Sequence, residues 1–342
     1  MAKTSLRKNI HLDLAKRGDA QSAIGCDWDM IRLTHQALPE MNFDDVDLKT
    51  RFLGKSLTMP MMIGAMTGGT DRADAINRLL VEAAEDAGIG LAIGSQRAGL
   101  EEHRQDPDLR RIAPHIPIIG NLGGVQLARE GGIDLAKRAV ETLEADAMAI
   151  HLNPLQELAQ PEGDRDWSGI LEEIGKLQKE LPCPVIVKEV GAGISSHVAG
   201  QLFSEGVHWI EVAGLGGTNW TRIETMRRND DEQDVMMPFL DWGNSTLDCL
   251  IAIAEDHPSV RLIASGGIRH GLDAAKAIWM GAEIVAAAGP MLRAAEDEDG
   301  NLTPENLKIH LGQWKAQMQM ALFLTGSHNL SAFRDAEGVI NI

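Results

Sequence analysis

The chain has 342 residues, of which 44% are hydrophobic and 24% are charged. These fractions are ordinary for a globular protein and exclude disordered and collagen-like chains. Its 50 acidic and 32 basic residues give a formal net charge of −18. This charge argues against binding to nucleic acid or to a membrane surface, because both are anionic. A small anionic ligand would have to meet locally concentrated positive charge.

The cysteines and the apolar segments bear on the compartment. Cys26, Cys183 and Cys249 form no CxxC pair and no disulfide framework. No segment reaches the roughly 18 apolar residues of a membrane helix. The first residues of the chain lack the apolar core of a signal peptide. We therefore expect a cytoplasmic protein without a membrane partner.

Eight short apolar runs alternate with stretches of helical period along the chain. Nearly continuous apolar runs are typical of parallel strands buried on both faces. Eight strand–helix units over about 250 residues predict an α/β fold, the (β/α)8 TIM barrel. We assign residues 59–342 to a single barrel domain and residues 1–58 to an N-terminal extension. The runs are Met59–Met66, Ile89–Gly94, Pro117–Asn121, Ala147–Leu152, Pro184–Val190, Trp209–Ala213, Val260–Ser265 and Glu283–Ala288.

Two details of this pattern matter for the fold. The segment between the sixth and seventh runs is the longest, which predicts a long loop over Gly214–Gly243. The alternative fold is a doubly wound open sheet, which carries GxGxxG after its first strand. Here the first run ends in Met66-Thr67-Gly68-Gly69, which does not fit that fingerprint.

The predicted strand ends are polar, rich in glycine, or both, and in such a barrel the chemistry lies at these ends. After the seventh strand, Ser265-Gly266-Gly267 leads into a predicted helix near Gly271. Small residues let backbone amides approach an anion, and a helix N-terminus adds partial positive charge. We interpret the seventh and eighth ends as a phosphate site, although tight turns alone would also require glycine.

Lys188 ends a strand that is otherwise apolar. Burying its charge without a partner would be costly. Glu189 or Glu211 could pair with it. Because the phosphate site implies a nucleotide-like ligand, we favour a flavin contact for this lysine.

The fourth strand end is the most distinctive, with His151, Asn153, Gln156 and Glu157 within seven residues around Pro154. It predicts a loop that directs several polar groups into one pocket. Glu157 could bind Mg²⁺ together with diphosphate oxygens and water, or it could be a charge at a helix start. His151 could equally be a core histidine. A zinc site is disfavoured, because no second histidine lies at helical spacing from it.

The N-terminus is locally basic in an acidic chain. Arg7, Lys8 and His11 lie at helical spacing and could clamp a polyanion together with Arg97. A solvated basic tail is the alternative. The acidic stretch Glu296–Asp299 is predicted to be a solvated loop without a role in the site.

These residues resemble the type 2 isopentenyl-diphosphate isomerases, the flavin-dependent class, from about Arg7 to Ala336. The most specific stretches are HLNPLQE at 151–157 and VKEVG at 187–191. The resemblance also rests on the residues at 7–11, 32–39, 66–69, 94–97, 121–123 and 216–220.

The resemblance implies reversible isomerisation of isopentenyl diphosphate to dimethylallyl diphosphate without net redox change. It implies FMN in its reduced form, Mg²⁺, and NADPH as the reductant of the flavin, in a homo-oligomer of four or more copies. It assigns catalysis to His151, Asn153 and Gln156, and the metal to Glu157. The implied substrate-binding residues are Arg7, Lys8, His11, Ser95, Arg97, Gln156, Ser195 and Trp220, with His151 and Asn153 on the same side of the site. The implied FMN-binding residues are Ala65, Met66, Thr67, Ser95, Asn121, Lys188, Thr218, Gly266, Gly267, Arg269, Ala288 and Gly289.

One departure and two rival interpretations remain. Ala213 stands where many members carry serine, so one hydroxyl contact to the flavin is in doubt. The first rival is another FMN barrel, such as an α-hydroxy-acid oxidase or an inosine monophosphate dehydrogenase. The sixth strand end lacks the histidine of the former, and no cysteine lies at a strand end to serve the latter. The second rival is a non-catalytic flavin-binding protein.

Overall fold

The core of the protein is a ring of eight parallel strands, seen in a computed structural model that describes residues 2–66, 68–101, 109–228 and 231–341. The described strands are β1 (Ile31–Leu33), β2 (Thr50–Phe52), β3 (Lys55–Leu57), β4 (Met61–Ile63), β5 (Gly90–Ala92), β6 (Ile118–Gly123), β7 (Ala147–His151), β8 (Val185–Lys188), β9 (Trp209–Glu211), β10 (Arg261–Ala264), β11 (Ile284–Ala287) and β12 (Gly338–Ile340). The helices are α1 (Ala2–Lys16), α2 (Asp71–Ala87), α3 (Arg97–Glu101), α4 (Leu109–Ile112), α5 (Gly124–Leu127), α6 (Gly132–Leu143), α7 (Pro154–Ala159), α8 (Ile170–Glu180), α9 (Ser196–Ser204), α10 (Trp220–Arg227), α11 (Glu232–Met236), α12 (Thr246–Asp256), α13 (Gly271–Trp279), α14 (Gly289–Ala295), α15 (Pro304–Leu324) and α16 (Leu330–Arg334).

The closed barrel confirms the predicted TIM barrel. Its strands follow the order β4 to β11, and β11 pairs with β4 to close the ring. Each of the eight predicted runs overlaps one barrel strand. Seven strands are shorter than the run, whereas β6 is one residue longer and extends past Asn121 to Gly123. At Pro117 and Pro184 the strand starts one residue later than predicted, because proline has no N–H to donate to the ladder. Their carbonyl oxygens still accept hydrogen bonds from Leu91 and Met148 of the neighbouring strands.

The barrel interior is packed with apolar side chains and closed at one end. Met62, Ile119 and Ile263 fill it and are almost fully buried. The hairpin β2–β3 adds Phe52 to this cluster, and the ring of Phe52 meets Trp209 edge-on with 5.0 Å between centroids. Trp209 begins β9, so the hairpin closes the end of the barrel where the strands start. Ligands are therefore left only the opposite, C-terminal end.

The N-terminal extension runs along the whole barrel. Helix α1 packs against α10 and α14, which both follow C-terminal strand ends. Strand β1 then pairs in antiparallel register with β12, the last strand of the chain. The hairpin β2–β3 finally reaches the N-terminal end. The extension thus contributes both to the closed end and to the open mouth.

The long segment after the sixth strand is helical rather than an irregular loop. It contains α10, α11 and a 3-10 turn at Met237–Phe239. Asn219 caps α10 by accepting a hydrogen bond from the backbone N–H of Arg222 at 2.9 Å. Helix α10 carries Glu224, which contacts residues of the site and which the sequence pattern did not indicate.

Phe52→Ala should lower the free energy of unfolding by about 3–5 kcal/mol, because it empties the closed end of the barrel. Urea denaturation measures the change. The control is Phe239→Ala, since Phe239 is 41% exposed and should change stability by less than about 0.5 kcal/mol. Equal unfolding midpoints for the two variants would contradict this view of the hairpin.

Candidate active site at the barrel mouth

A cavity of about 320 Å³ opens at the C-terminal ends of the barrel strands. All the predicted site residues that the structure describes line it, except Ser195. These lining residues are Arg7, Lys8, His11, Ala65, Met66, Ser95, Arg97, Asn121, His151, Asn153, Gln156, Glu157, Lys188, Thr218, Trp220, Gly266, Gly267, Arg269, Ala288 and Gly289. Ser195 instead caps α9 by accepting a hydrogen bond from the backbone N–H of Val198. Thr67 lies outside the described residues.

The glycines after the sixth and seventh strands allow two loops to approach each other. Gly266 has φ +97°, and a Cβ there would lie 2.2 Å from the carbonyl oxygen of Gly214. A Cβ on Gly217 would lie 2.8 Å from the backbone nitrogen of Gly267. Loop packing therefore requires these glycines whatever the ligand is. It also leaves the wall of the cavity here formed by backbone, as an anion site needs.

Arg269 lies at this end of the cavity, but its guanidinium is already paired. It donates to both carboxylate oxygens of Asp29, at 2.9 and 2.6 Å, and to those of Asp273, at 2.8 and 3.1 Å. Asp273 is buried on α13. The side chain of Arg269 thus ties the N-terminal extension to the seventh βα unit.

Lys188 has the acidic partner considered for it, and its contact with a flavin stays a prediction. It lines the cavity, and its Nζ also lies 3.5 Å from the Oε1 of Glu211 and donates to the carbonyl oxygen of Glu189 at 2.5 Å. Ser265 donates to the same carboxylate oxygen of Glu211 at 2.9 Å. A buried lysine is stabilised in this way by an acid on the adjacent strand, while it remains in contact with the cavity.

His151 is held as a neutral hydrogen-bonding group. Its Nδ1 lies 2.7 Å from the Oδ1 of Asn121, which can only accept, so Nδ1 carries the proton. Burial and the positive charges of Lys188 and Arg97 lower the pKa of His151 to about 3. The imidazole is therefore neutral at physiological pH, with Nε2 as an acceptor.

The fourth strand end forms a short helix rather than the expected loop. Pro154 occupies the first turn of α7, so Gln156 and Glu157 lie on a rigid element. Asn153 donates to the Oε1 of Gln156 at 3.1 Å and to the Oε1 of Glu157 at 3.2 Å. The second oxygen of Glu157 accepts from the backbone N–H of Asp164 at 2.8 Å. The carboxylate is therefore fixed in orientation at the cavity wall.

Glu224 of α10 is the central residue that sequence reasoning missed. Its side chain is fully buried, and its Oε1 lies 3.0 Å from the Nε2 of His11 and 3.2 Å from the Nε2 of Gln156. Arg227 contacts its other oxygen. Burial alone would raise the pKa of Glu224, but the hydrogen bond and charge of His11, the charge of Arg227 and the hydrogen bond from Gln156 lower it overall. The carboxylate orients the amide of Gln156, so that its NH₂ faces Glu224.

Helix α1 lies over the mouth and is bonded near its middle and at its C-terminal end. Arg7 donates to Gln160 at 2.9 Å and pairs with Glu162 at 3.0 Å, and Lys8 bonds the carbonyl oxygen of Gly68. At the C-terminal end, Lys16 pairs with Glu296 at 2.9 Å. The basic N-terminus is thus an ordered part of the cavity wall.

The expectation of a solvated acidic stretch at 296–299 is wrong for its first residue. Glu296 is buried and pairs with Arg72 at 2.8 Å as well as with Lys16. Burial would raise its pKa, but these two cations lower it. Asp297 instead bonds Asn301 within its own turn. The sequence alone could not show that two distant cations would converge on one carboxylate of a charged run.

The described segments contain no group of three or more histidine, cysteine or acidic side chains arranged for a metal ion. They also contain no helix with the length and apolar character needed to cross a bilayer.

Comparisons with known proteins identify the family. Over 338 residues the chain is 46% identical to an isopentenyl-diphosphate delta-isomerase of Pseudescherichia vulneris, covering 97% of this chain and 95% of the relative. It is 45% identical to the protein of that name from Stutzerimonas stutzeri, with 98% of each covered. The chain belongs to the isopentenyl-diphosphate delta-isomerase family, type 2.

Comparisons with a protein family and with solved structures show the fold independently. Residues 136–337 match the FMN-dependent dehydrogenase family. A solved mandelate oxidase with benzoyl-formic acid superposes with a TM-score of 0.66 at 15% identity, covering 100% of this chain and 98% of that one. A chimera of (S)-mandelate dehydrogenase gives 0.64 at 18%, covering 92% and 88%. At these identities the structural likeness establishes only the fold.

FMN is the cofactor that this family membership supports, and the cavity fits it. Gly266, Gly267 and Gly289 line the cavity, and so do Lys188 and Asn121 at the strand ends. Ala213 also lines the cavity and presents no hydroxyl there.

His151 should show the NMR signals of a neutral, Nδ1-protonated imidazole from about pH 8 down to about pH 5, because its pKa is lowered to about 3. Spectra of His151→Asn assign the resonance. In the unfolded chain the neutral imidazole takes up a second proton near the ordinary pKa of 6.5. The stability contribution of His151 is therefore present above pH 6.5 and is lost progressively between pH 6.5 and about 3. Titration of His151 near pH 6.5 in the folded protein would contradict the assignment.

Proposed function

We propose that this isomerase-family protein interconverts isopentenyl diphosphate and dimethylallyl diphosphate by moving one proton onto and another off the five-carbon chain. The names of its relatives and the family cofactor support the reaction class. The observation that carries the proposal is the convergence of the fourth strand end, α10 and α1 on one cavity beside the flavin-type phosphate site. The reaction transfers no net electrons.

The substrate diphosphate is bound in this proposal at the mouth covered by α1. Arg7, Lys8 and Arg97 supply positive charge, and His11 and Trp220 pack edge-on with 5.5 Å between their rings. Diphosphate binding then holds the featureless five-carbon group in register. Residues 1–58 would thus act as an extension that completes the substrate site. Ser95, which also lines the cavity, would belong to the same site. The structure leaves Ser195 outside this cavity, so it has no part in the proposal.

The polar side chains around the carbon chain are poor proton donors. His151 is neutral with a very low pKa, and Gln156 is a neutral amide held between Asn153 and Glu224. We infer that they position the substrate and exclude water. Reduced FMN, when bound, supplies ring nitrogens that exchange protons and an electron-rich face near a developing cation.

Glu157 is the proposed Mg²⁺ ligand. Its carboxylate lines the cavity and is held by Asn153 and by the N–H of Asp164. Mg²⁺ commonly takes one or two carboxylates together with phosphate oxygens and water, which suits a single protein ligand. NADPH as flavin reductant and assembly into a homo-oligomer also belong to the proposal. A cytoplasmic location is also part of the proposal. It is consistent with the three cysteines, which are free thiols.

The rival oxidoreductase functions find little support in the cavity. Burial raises the pKa of Cys26 to about 11, that of Cys183 to about 11 and that of Cys249 to about 12. These thiols stay protonated and are poor nucleophiles. Inosine monophosphate dehydrogenase chemistry, which needs such a nucleophile, is therefore disfavoured.

Turnover distinguishes the isomerase from a non-catalytic flavoprotein. The protein with FMN, Mg²⁺ and excess dithionite should convert isopentenyl diphosphate to dimethylallyl diphosphate, and oxidised FMN should leave it inactive. Product formation is measured by NMR. A flavin-loaded, folded protein that shows no isomerisation under reducing conditions would overturn the proposal. Flavin reduction by a 2-hydroxy acid would favour the oxidase instead.

Glu157→Gln and Gln156→Asn should both lower the isomerase activity, but for different reasons. Glu157→Gln keeps the hydrogen bond from Asn153 but loses the charge that holds a hard cation, so excess Mg²⁺ should partly restore its activity by mass action. Gln156→Asn shortens the reach to the five-carbon chain and to Glu224. A misplacement of about 1 Å can cost on the order of 10²-fold in kcat, without rescue by Mg²⁺.

A Mg²⁺ titration of both variants with chemically reduced flavin makes the comparison. Each variant serves as the control for the other, because the two residues are adjacent on α7. Wild-type turnover and wild-type Mg²⁺ dependence in Glu157→Gln would show that the carboxylate is only a helix-start charge.

A further inference from the structure

The basic side chains that line the cavity differ in whether the protein already neutralises them. They are Arg7, Lys8, Arg97, Lys188, Arg269 and Arg293. Four of them have partners: Arg7 bonds Glu162, Lys8 bonds a carbonyl oxygen, Lys188 bonds Glu189 and Glu211, and Arg269 bonds two aspartates. Within the described parts of the chain, no hydrogen bond or ion pair engages the guanidinium of Arg97 or Arg293.

The two open arginines lie in different parts of the cavity. Arg97 begins α3 after β5, and its charge acts on His151 on the substrate side. Arg293 lies on α14 after β11, the last barrel strand. A site for two anionic ligands, a substrate diphosphate and a flavin phosphate, thus contains two cations without an internal counter-ion.

The position of Arg293 is fixed by its neighbours at the eighth strand end. A Cβ built on Gly289 would lie 3.2 Å from its Nη1 and 3.2 Å from the Oγ1 of Thr218. Guanidinium and hydroxyl therefore converge beside the backbone of Gly289. Gly266 and Gly267 line the same cavity. Arg293, Thr218 and these glycines thus line one cavity, contributed by the ends of three neighbouring strands.

Arg293 is an exposed residue at the wall of the cavity. Partial desolvation lowers the pKa of its guanidinium, and no carboxylate among the described residues opposes this shift. A phosphate dianion would compensate the charge and can accept two parallel N–H bonds from one guanidinium. Arg269 cannot do this without giving up Asp29 or Asp273, which together occupy its nitrogens.

We propose that the guanidinium of Arg293 binds the phosphate of FMN, and that the guanidinium of Arg269 holds the adjacent loop in place rather than the cofactor. The inference rests on the proposed placement of the flavin and adds a residue that the sequence pattern did not indicate. It predicts discrimination between FMN and riboflavin, which share the ring system and differ by the phosphate.

The test compares the affinities of the flavin-free full-length protein for FMN and for riboflavin, measured by quenching of flavin fluorescence. Arg293→Ala should weaken FMN binding about 10- to 100-fold, as expected for loss of a charge-assisted hydrogen bond, and should leave riboflavin binding unchanged. Arg293→Lys keeps the charge but not the planar fork, so its loss for FMN should be smaller. Arg17→Ala removes an exposed arginine that is paired with Asp19 outside the cavity, and should alter neither affinity.

Riboflavin binding by Arg293→Ala also shows that the variant is folded. Unchanged FMN affinity in Arg293→Ala, or an equal loss for FMN and riboflavin, would overturn the assignment. Failure of the proposed isomerase function looks different: FMN and riboflavin would still be discriminated through Arg293, while the reduced holoprotein would not convert isopentenyl diphosphate.

Discussion

Closure of the parallel barrel is the constraint on which the rest of this structure depends. Eight strands in one ring leave an interior that apolar side chains fill, and the hairpin carrying Phe52 covers the end where the strands begin. Charged groups also gather at the opposite end. Lys188, Glu211 and Ser265 form such a group where three neighbouring strands end. Because the strands run parallel, eight loops meet there, and residues far apart in the chain share one cavity.

Charge compensation sets how this cavity receives its ligands. The chain carries a formal net charge of −18, yet its proposed cofactor and substrate are anionic. Acidic side chains pair with half of the six basic side chains that line the cavity, as Glu162 does with Arg7 and as Asp29 and Asp273 do with Arg269. Such pairs fix geometry but leave less positive charge for a ligand. Arg97 and Arg293, which have no such partner among the described residues, therefore add to the local attraction that opposes the overall charge.

The N-terminal helix depends on the same principle. The buried carboxylate of Glu296 joins Lys16 to Arg72, and the buried carboxylate of Glu224 joins His11 to Gln156. The first contact anchors the helix beside the eighth unit, and the second connects it to α7 at the fourth strand end. Breaking a buried pair by removal of one partner leaves an uncompensated charge, so both contacts hold the helix strongly.

The sequence by itself determined the barrel and the order of its strands, and nearly all the site residues it predicted line the mouth, because apolar runs of strand length and polar strand ends are local signals. It also indicated that the fourth strand end carries chemistry. Only the tertiary structure showed that Glu224 orients Gln156, that Glu296 is buried rather than solvated, and that Ser195 caps a helix away from the cavity. Only the tertiary structure distinguished Arg269, which is paired with two aspartates, from Arg293. Whether an arginine is free for a ligand depends on which carboxylates the fold places beside it. Such pairings join residues up to 280 positions apart, and no local pattern contains them.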